Sequence, residues 1–132
     1  MNRILIVEDD VELRQLFARV LEKNGYQVET AENGAEALKI LGRGYVDLII
    51  SDIMMPVMDG NALVRVLRDD GVKTPVLMIT AKSTLDDMRE GFLSGTDDYM
   101  VKPVDEEEML LRIAALLRRS RIVNEHLSLI HI

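Results

Sequence analysis

Short hydrophobic runs alternate along the chain with segments in which hydrophobic residues recur every three or four positions. The runs Ile4–Val7, Val46–Ile50 and Pro75–Ile79 are almost wholly apolar and predict buried strands. The runs Tyr26–Thr30 and Tyr99–Val101 are shorter or interrupted by polar residues, so we expect them at the edges of a sheet.

A helical spacing follows each predicted strand. The fourth helix is the least regular, because Gly91 interrupts it and glycine weakens a helix. Either Asp9 or Asp10 could cap the first helix. The five apolar faces run over Leu13–Leu21, Ala37–Leu41, Leu63–Leu67, Leu85–Phe92 and Met109–Leu117. Five strand–helix units predict an α/β fold, with a mostly parallel sheet covered by helices on both faces.

Composition narrows the function classes. The length of 132 residues suits one domain, and the net charge of −7 argues against a nucleic-acid surface within this segment. The chain has no cysteine, which excludes disulfides and thiolate metal sites. No hydrophobic run approaches the roughly 20 residues that a membrane helix needs. We therefore expect a soluble cytoplasmic domain with no membrane partner.

The segment from Ser120 to Ile132 does not fit the five-unit pattern. Its apolar end predicts a linker that runs into the first strand of a missing C-terminal domain. The alternative is that the last helix simply continues. His126 and His131 could in principle bind a metal, but histidines in a linker seldom do. The predicted organisation is a domain over residues 1–119 and a linker, or the start of an output domain, over residues 120–132.

Polar side chains follow four of the predicted strands. In a parallel sheet the carboxyl ends of the strands share one edge, where ligands of such folds bind. We therefore expect these side chains to meet in one crevice. They are Glu8, Asp9 and Asp10 after the first strand, Asp52 after the third, Thr80 after the fourth and Lys102 after the fifth.

These side chains have a common chemistry. Clustered carboxylates suit Mg²⁺, and an aspartate beside such a cation can attack phosphorus to form an acyl phosphate. Lys102 could neutralise phosphoryl oxygens, and Thr80 could donate a hydrogen bond to them. Each residue alone has an ordinary structural explanation, and for Asp10 helix capping explains the residue fully. The joint pattern favours a phosphoryl-accepting site at Asp52.

The motifs that carry these residues resemble the receiver domain of bacterial two-component response regulators. The resemblance runs from Asn2 to about Arg119. It implies a flavodoxin-like doubly wound sheet of five strands in the order 2-1-3-4-5. The matching segments are 4–10 (ILIVEDD), 52–60 (DIMMPVMDG), 79–81 (ITA) and 97–103 (DDYMVKP).

The resemblance also implies roles for single residues. Asp52 would be the phospho-acceptor, with Lys102 and Thr80 contacting the phosphoryl group. Thr80 and Tyr99 would form the switch, and the Lys102–Pro103 bond would be cis. The implied cofactor is Mg²⁺ or Mn²⁺, and the implied donor is a phosphohistidine on a sensor histidine kinase. The implied metal ligands are Glu8, Asp9, Asp52 and the main-chain carbonyl of Met54.

The resemblance says less about the effect that such a domain would have on its partners. Receivers joined to winged-helix DNA-binding domains often dimerise through the face made by the fourth helix, fifth strand and fifth helix. Asp98 and Arg112 match one charged pair of that face and Glu108 matches half of another. Glu90, however, stands where a basic residue would be expected, which puts that dimer in doubt. DNA would be contacted only through an output domain missing from this chain.

Three alternatives stay open from sequence. A Mg²⁺-dependent phosphohydrolase would place its aspartyl nucleophile on the first strand as an Asp-x-Asp pair, where this chain has Glu8, Asp9 and Asp10. It would also carry a cap insertion, which no connection here is long enough to supply. A flavodoxin-like nucleotide binder would need a phosphate loop where this chain has three acids. A degenerate receiver would serve only for docking. Turnover of phosphate esters would favour the phosphohydrolase, and a flavin spectrum would favour the nucleotide binder. Failure to take up phosphate would favour the docking-only receiver.

Overall fold

The computed structural model describes the backbone of residues 2–130 and the side chains of residues 2–121. Strands and helices alternate over this range, as the hydrophobic pattern predicts. The strands are β1 (Arg3–Val7), β2 (Gln27–Ala31), β3 (Leu48–Ser51), β4 (Val76–Thr80) and β5 (Asp98–Val101). The helices are α1 (Val11–Lys23), α2 (Gly34–Leu41), α3 (Gly60–Asp69), α4 (Leu85–Ser94) and α5 (Glu106–Ile130).

All pairings in the sheet are parallel, and the strand order is β2-β1-β3-β4-β5. This order confirms that the weaker second and fifth strands lie at the edges. The three central strands are buried on both faces, because a separate hydrophobic cluster covers each side of the sheet. Leu5, Ile49 and Met78 point into one cluster. Their neighbours Ile6, Ile50 and Leu77 point into the other.

Side-chain caps fix where the helices begin. Asp10, and not Asp9, caps α1 by accepting a hydrogen bond from the Leu13 amide at 3.1 Å. Asn33 and Asp59 cap α2 and α3 in the same way, and Thr84 forms a capping box with Asp87 at the start of α4. Asp9 is therefore free of a capping role and lies just before the helix, at the sheet edge.

The last helix is longer than the sequence pattern suggested. It continues to Ile130, so residues 120–130 are helical and do not begin a strand. This matches the alternative in which the last helix simply continues. His131 and Ile132 lie outside the described residues, as does the side chain of His126. Within the described part of the chain, no helix combines the length and apolarity needed to cross a membrane.

Candidate functional site

The carboxyl ends of four neighbouring strands bring the predicted site residues to one edge of the sheet. Val7 of β1 is paired with Ser51 of β3, so the residues that follow them, Glu8 and Asp52, lie side by side. Thr80, the last residue of β4, is paired with Val101 of β5, and Lys102 follows directly. The alternation of strands and helices therefore assembles the site from residues that are far apart in sequence.

Three carboxylates form a cluster at this edge. Glu8, Asp9 and Asp52 each place one oxygen within 4.8 Å of the others. Glu8 and Asp52 are buried, whereas Asp9 is exposed. A set of oxygen ligands at this spacing, open to solvent on one side, suits a hard divalent cation that keeps some of its water. The residues present therefore fit a metal centre of this type.

Lys102 bridges the two buried carboxylates. Its Nζ donates hydrogen bonds of 2.7 Å to Glu8 Oε1 and 2.7 Å to Asp52 Oδ2. Burial alone would lower the pKa of Lys102, but these two hydrogen bonds outweigh it and raise that pKa. Burial raises the pKa of Glu8 despite its bonds to Lys102 and the Asp10 amide. The ammonium thus offsets part of the repulsion between the two acids.

The main chain holds the other oxygen of Asp52. Its Oδ1 accepts hydrogen bonds from the amides of Ile53 at 2.6 Å and Met54 at 3.3 Å. The loop that supplies them is closed by Gly60, whose amide donates to the Ile53 carbonyl at 2.9 Å. Within this loop Val57 has a φ of 69°, which a β-branched residue rarely adopts. The carboxylate of Asp52 is therefore fixed at both oxygens, with Oδ2 facing Lys102.

A chain of hydrogen bonds joins Thr80 to Tyr99. The Lys82 amide donates to Thr80 Oγ1 at 3.3 Å, and the Tyr99 hydroxyl donates to the Lys82 carbonyl at 2.8 Å. The Tyr99 side chain is turned inward and only 6% of the residue is exposed. The two predicted switch residues are thus connected through the backbone of one intervening residue.

The ionisation of Tyr99 gives a testable pH dependence. Burial, with smaller contributions from Asp87, Asp52 and Glu90, raises the pKa of Tyr99 to about 12. Because the folded pKa lies above the unfolded value, the associated stability is present below pH 10 and is lost as pH rises to 12. We expect this loss to reach about 2 kcal/mol. Urea unfolding at pH 9 to 12 measures it, with Tyr99→Phe as the control that should lose less.

The remaining predicted residues lie either beside the carboxylate cluster or in a separate charged group on β5 and α5. The Lys102–Pro103 bond is cis, as the resemblance implies. Asp98, Glu108 and Arg112 form a separate group: Arg112 binds both Asp98 oxygens at 3.0 and 3.1 Å and Glu108 Oε1 at 3.0 Å. These acids raise the pKa of Arg112. The two predicted acidic residues, Asp98 and Glu108, therefore both pair with Arg112 of the same chain.

The acidic run at residues 105–108, before and in the first turn of α5, has a structural role. Asp105 accepts a hydrogen bond from the Glu108 amide at 2.9 Å, and the Met109 amide bonds to the Asp105 carbonyl. The run therefore caps the helix and complements its dipole.

Sequence reasoning missed two residues near the site. Asn61 is buried, and its Oδ1 has no partner among the described residues. It lines an open cavity of about 470 Å³ that also contacts Asp9 and Lys82. Gly91 appeared only as a weakness in the fourth helix, yet it lies directly against the Tyr99 ring. For Gly91 the only signal in the sequence was the presence of a glycine inside a predicted helix.

The family follows from comparison with known proteins. The response regulator receiver domain model matches residues 4–114. This chain belongs to the response regulator receiver domain family. As a receiver domain of a two-component response regulator, it is a signalling domain, and the predicted α/β fold is confirmed.

Curated relatives of this receiver domain include transcriptional regulators. The transcriptional regulatory protein PcoR of Escherichia coli is 41% identical over 121 residues, which is 92% of this chain and 54% of PcoR. The response regulator MprA of Mycobacterium leprae is 44% identical over 119 residues, 90% of this chain and 52% of MprA. The receiver domain thus spans about half the length of these relatives.

Solved structures agree with the fold. The receiver domain of Francisella response regulator 1452 has a TM-score of 0.87 and 33% identity, with 91% of this chain and 99% of that chain covered. The Vibrio cholerae chemotaxis protein CheY4 has a TM-score of 0.83 and 36% identity, with 88% and 98% covered. The five-stranded architecture is therefore shared with receiver domains and chemotaxis proteins.

Proposed function

We propose that this receiver domain is a phosphorylation switch in which Asp52 accepts a phosphoryl group from a phosphohistidine of a sensor histidine kinase. A carboxylate oxygen of Asp52 would form the new bond to phosphorus as the phosphorus–nitrogen bond of the donor breaks, leaving an acyl phosphate and a neutral histidine after protonation. The observation that carries this proposal is the position of Asp52, which lies between Glu8, Asp9 and Lys102 with both oxygens held.

The cofactor of this proposal is Mg²⁺, or Mn²⁺ in its place. Glu8, Asp9, Asp52 and the main-chain carbonyl of Met54 would hold it. When bound, such a cation neutralises charge on the phosphoryl oxygens. The cluster of three carboxylate oxygens within 4.8 Å supports this assignment.

Lys102 and Thr80 are the proposed contacts to the phosphoryl group. Lys102 Nζ lies 2.7 Å from Asp52 Oδ2, so it would lie beside a phosphoryl group carried on that carboxylate and would neutralise charge on the phosphoryl oxygens. Thr80 is the last residue of β4 and lies at the same sheet edge, where its hydroxyl would donate a hydrogen bond to a phosphoryl oxygen. Its link to Tyr99 through Lys82 supports the proposal that this pair reports the state of Asp52.

The output belongs to the whole protein and is also a proposal. The curated relatives are about twice as long and include a named transcriptional regulator. We therefore place residues 1–119 as the regulatory domain, followed by an output domain that contacts DNA. A homodimer through α4, β5 and α5 would bring Asp98, Glu108 and Arg112 to the interface. The protein would act in the cytoplasm, where its kinase draws on ATP.

The intact mass of the protein tests the acceptor directly. After incubation with Mg²⁺ and acetyl phosphate, we expect a gain of one phosphoryl group, and none for Asp52→Asn. The substitution keeps the shape of the side chain, so circular dichroism should show the same fold. Omission of Mg²⁺ should also prevent the gain. Equal phosphorylation of Asp52→Asn would rule out Asp52 as the acceptor, and absence of any gain would favour a docking-only role.

A further inference from the structure

Gly91 lies in the middle of α4, where glycine has no conformational advantage. Its φ is not among the positive values of the described backbone, so an alanine could adopt the same helical conformation. Glycine inside a helix is less stable than alanine. A reason for this glycine must therefore come from the space around it and not from the backbone.

That space is occupied by the ring of Tyr99. A Cβ atom at position 91 would lie 2.9 Å from Cε2 and 3.1 Å from Cδ2 of the ring, closer than ordinary van der Waals contact. Thr96 Cγ2 is the next nearest atom at 3.9 Å, so the tyrosine alone is too close. A side chain at position 91 and the present position of the Tyr99 ring are therefore incompatible.

The same ring position is fixed at its other end. The Tyr99 hydroxyl donates to the Lys82 carbonyl at 2.8 Å, and the ring of Phe92 lies 6.2 Å away, centroid to centroid. The ring cannot move away from position 91 without changing the geometry of that hydrogen bond. Two contacts therefore hold the Tyr99 ring in its inward position: the backbone of Gly91, which has no side chain, and the carbonyl oxygen of Lys82.

We propose that Gly91 is a positioning residue that sets the inward position of Tyr99, and that any side chain there displaces the ring from the Lys82 carbonyl. The consequence for signalling rests on the proposed function, because Tyr99 connects to Thr80 through Lys82. The contact itself does not depend on phosphorylation. Gly91 therefore biases the inward and outward positions of Tyr99 before any phosphoryl group arrives.

Fluorine NMR of protein labelled with 3-fluorotyrosine tests the displacement in the unphosphorylated protein. Tyr99→Phe identifies the Tyr99 resonance. In Gly91→Ala we expect this resonance to move towards the position of exposed tyrosines, while those of Tyr26 and Tyr45 stay in place. The pKa of Tyr99, about 12 in the parent, should fall towards 10. An unchanged resonance would overturn the proposal.

A double-mutant cycle separates steric contact from helix propensity. Tyr99→Val removes the ring but keeps a residue suited to a strand. In that background Gly91→Ala should raise the melting temperature by about 2 to 4 °C, since alanine favours the helix and nothing obstructs it. In the parent background the gain should disappear or reverse. Equal gains in both backgrounds would overturn the proposal.

These experiments separate the inference from the proposed function. Neither uses phosphate, Mg²⁺ or a kinase. If acetyl phosphate fails to modify Asp52, the proposed function fails. The resonance shift and the double-mutant cycle still report whether Gly91 sets the position of the Tyr99 ring. If Gly91→Ala leaves the Tyr99 ring in place, the inference about Gly91 fails, and the proposal that Asp52 is phosphorylated still stands.

Discussion

Gly60→Ala is expected to lower the free energy of unfolding by about 3 kcal/mol, at the upper end of the cost of overpacking. A Cβ on Gly60 would overlap the carbonyl oxygen of Asp52. It would also lie 2.9 Å from the Asp52 carbonyl carbon and 3.0 Å from Ile53 Cα. All of these are backbone atoms, so no side-chain rotation can relieve the contact. Urea unfolding at neutral pH measures the loss.

The same substitution should impair the site, because the backbone that must move carries Asp52. We expect slower phosphorylation by acetyl phosphate even at temperatures where the variant stays folded. Gly42→Ala is the matched control, since Gly42 has helical φ and ψ and a Cβ there meets only ordinary contacts of 3.5 Å. Unchanged stability of Gly60→Ala would show that the loop between β3 and α3 shifts at little cost.

Lys102→Met should slow the phosphorylation of Asp52 by roughly 10²-fold, the usual effect of removing one group that stabilises developing charge. Methionine fills similar space but lacks the ammonium that lies 2.7 Å from both Glu8 and Asp52. In the absence of metal the two buried carboxylates would face each other uncompensated. We expect this to cost about 2 kcal/mol of stability, less than for a fully buried pair because the site opens to solvent.

Added Mg²⁺ should restore much of that stability and should bind Lys102→Met several-fold more tightly than the parent, since the ammonium no longer competes for the same oxygens. Unfolding curves at increasing Mg²⁺ measure both effects. Lys73→Met removes an exposed lysine elsewhere and is the matched control. A parent-like rate of phosphorylation in Lys102→Met would show that Lys102 has no part in the transfer.

Much of the fold and the site could be predicted because both follow from strand ends. The run at residues 76–79 is buried on both faces, so its hydrophobic pattern is strong, and the polar residue that follows it, Thr80, must lie at the sheet edge. Asp52, Thr80 and Lys102 were located by this reasoning alone. The edge strands were recognisable for the opposite reason, since their polar residues interrupt the pattern.

Other features depend on contacts that no local pattern reports. Lys102 and Glu8 are 94 residues apart, so their hydrogen bond could not be inferred from spacing. Gly91 weakens the helical pattern for a reason that only the ring of Tyr99 reveals. The sequence favoured Asp10 over Asp9 as the cap of α1, and the structure confirms that choice, but only the hydrogen bond to the Leu13 amide identifies the cap directly.

Arg112 has a consequence for how this surface can meet another molecule. Its guanidinium is already committed to two acids of its own chain, Asp98 and Glu108. Two carboxylates share this one guanidinium, so the group is net acidic. A second copy that offers the same three residues brings no free cation, and each contact across an interface must replace one within a chain. Such an exchange gains little free energy in itself. Association through this surface would therefore depend on apolar contact, and it should strengthen as salt screens the repulsion between the two acidic groups.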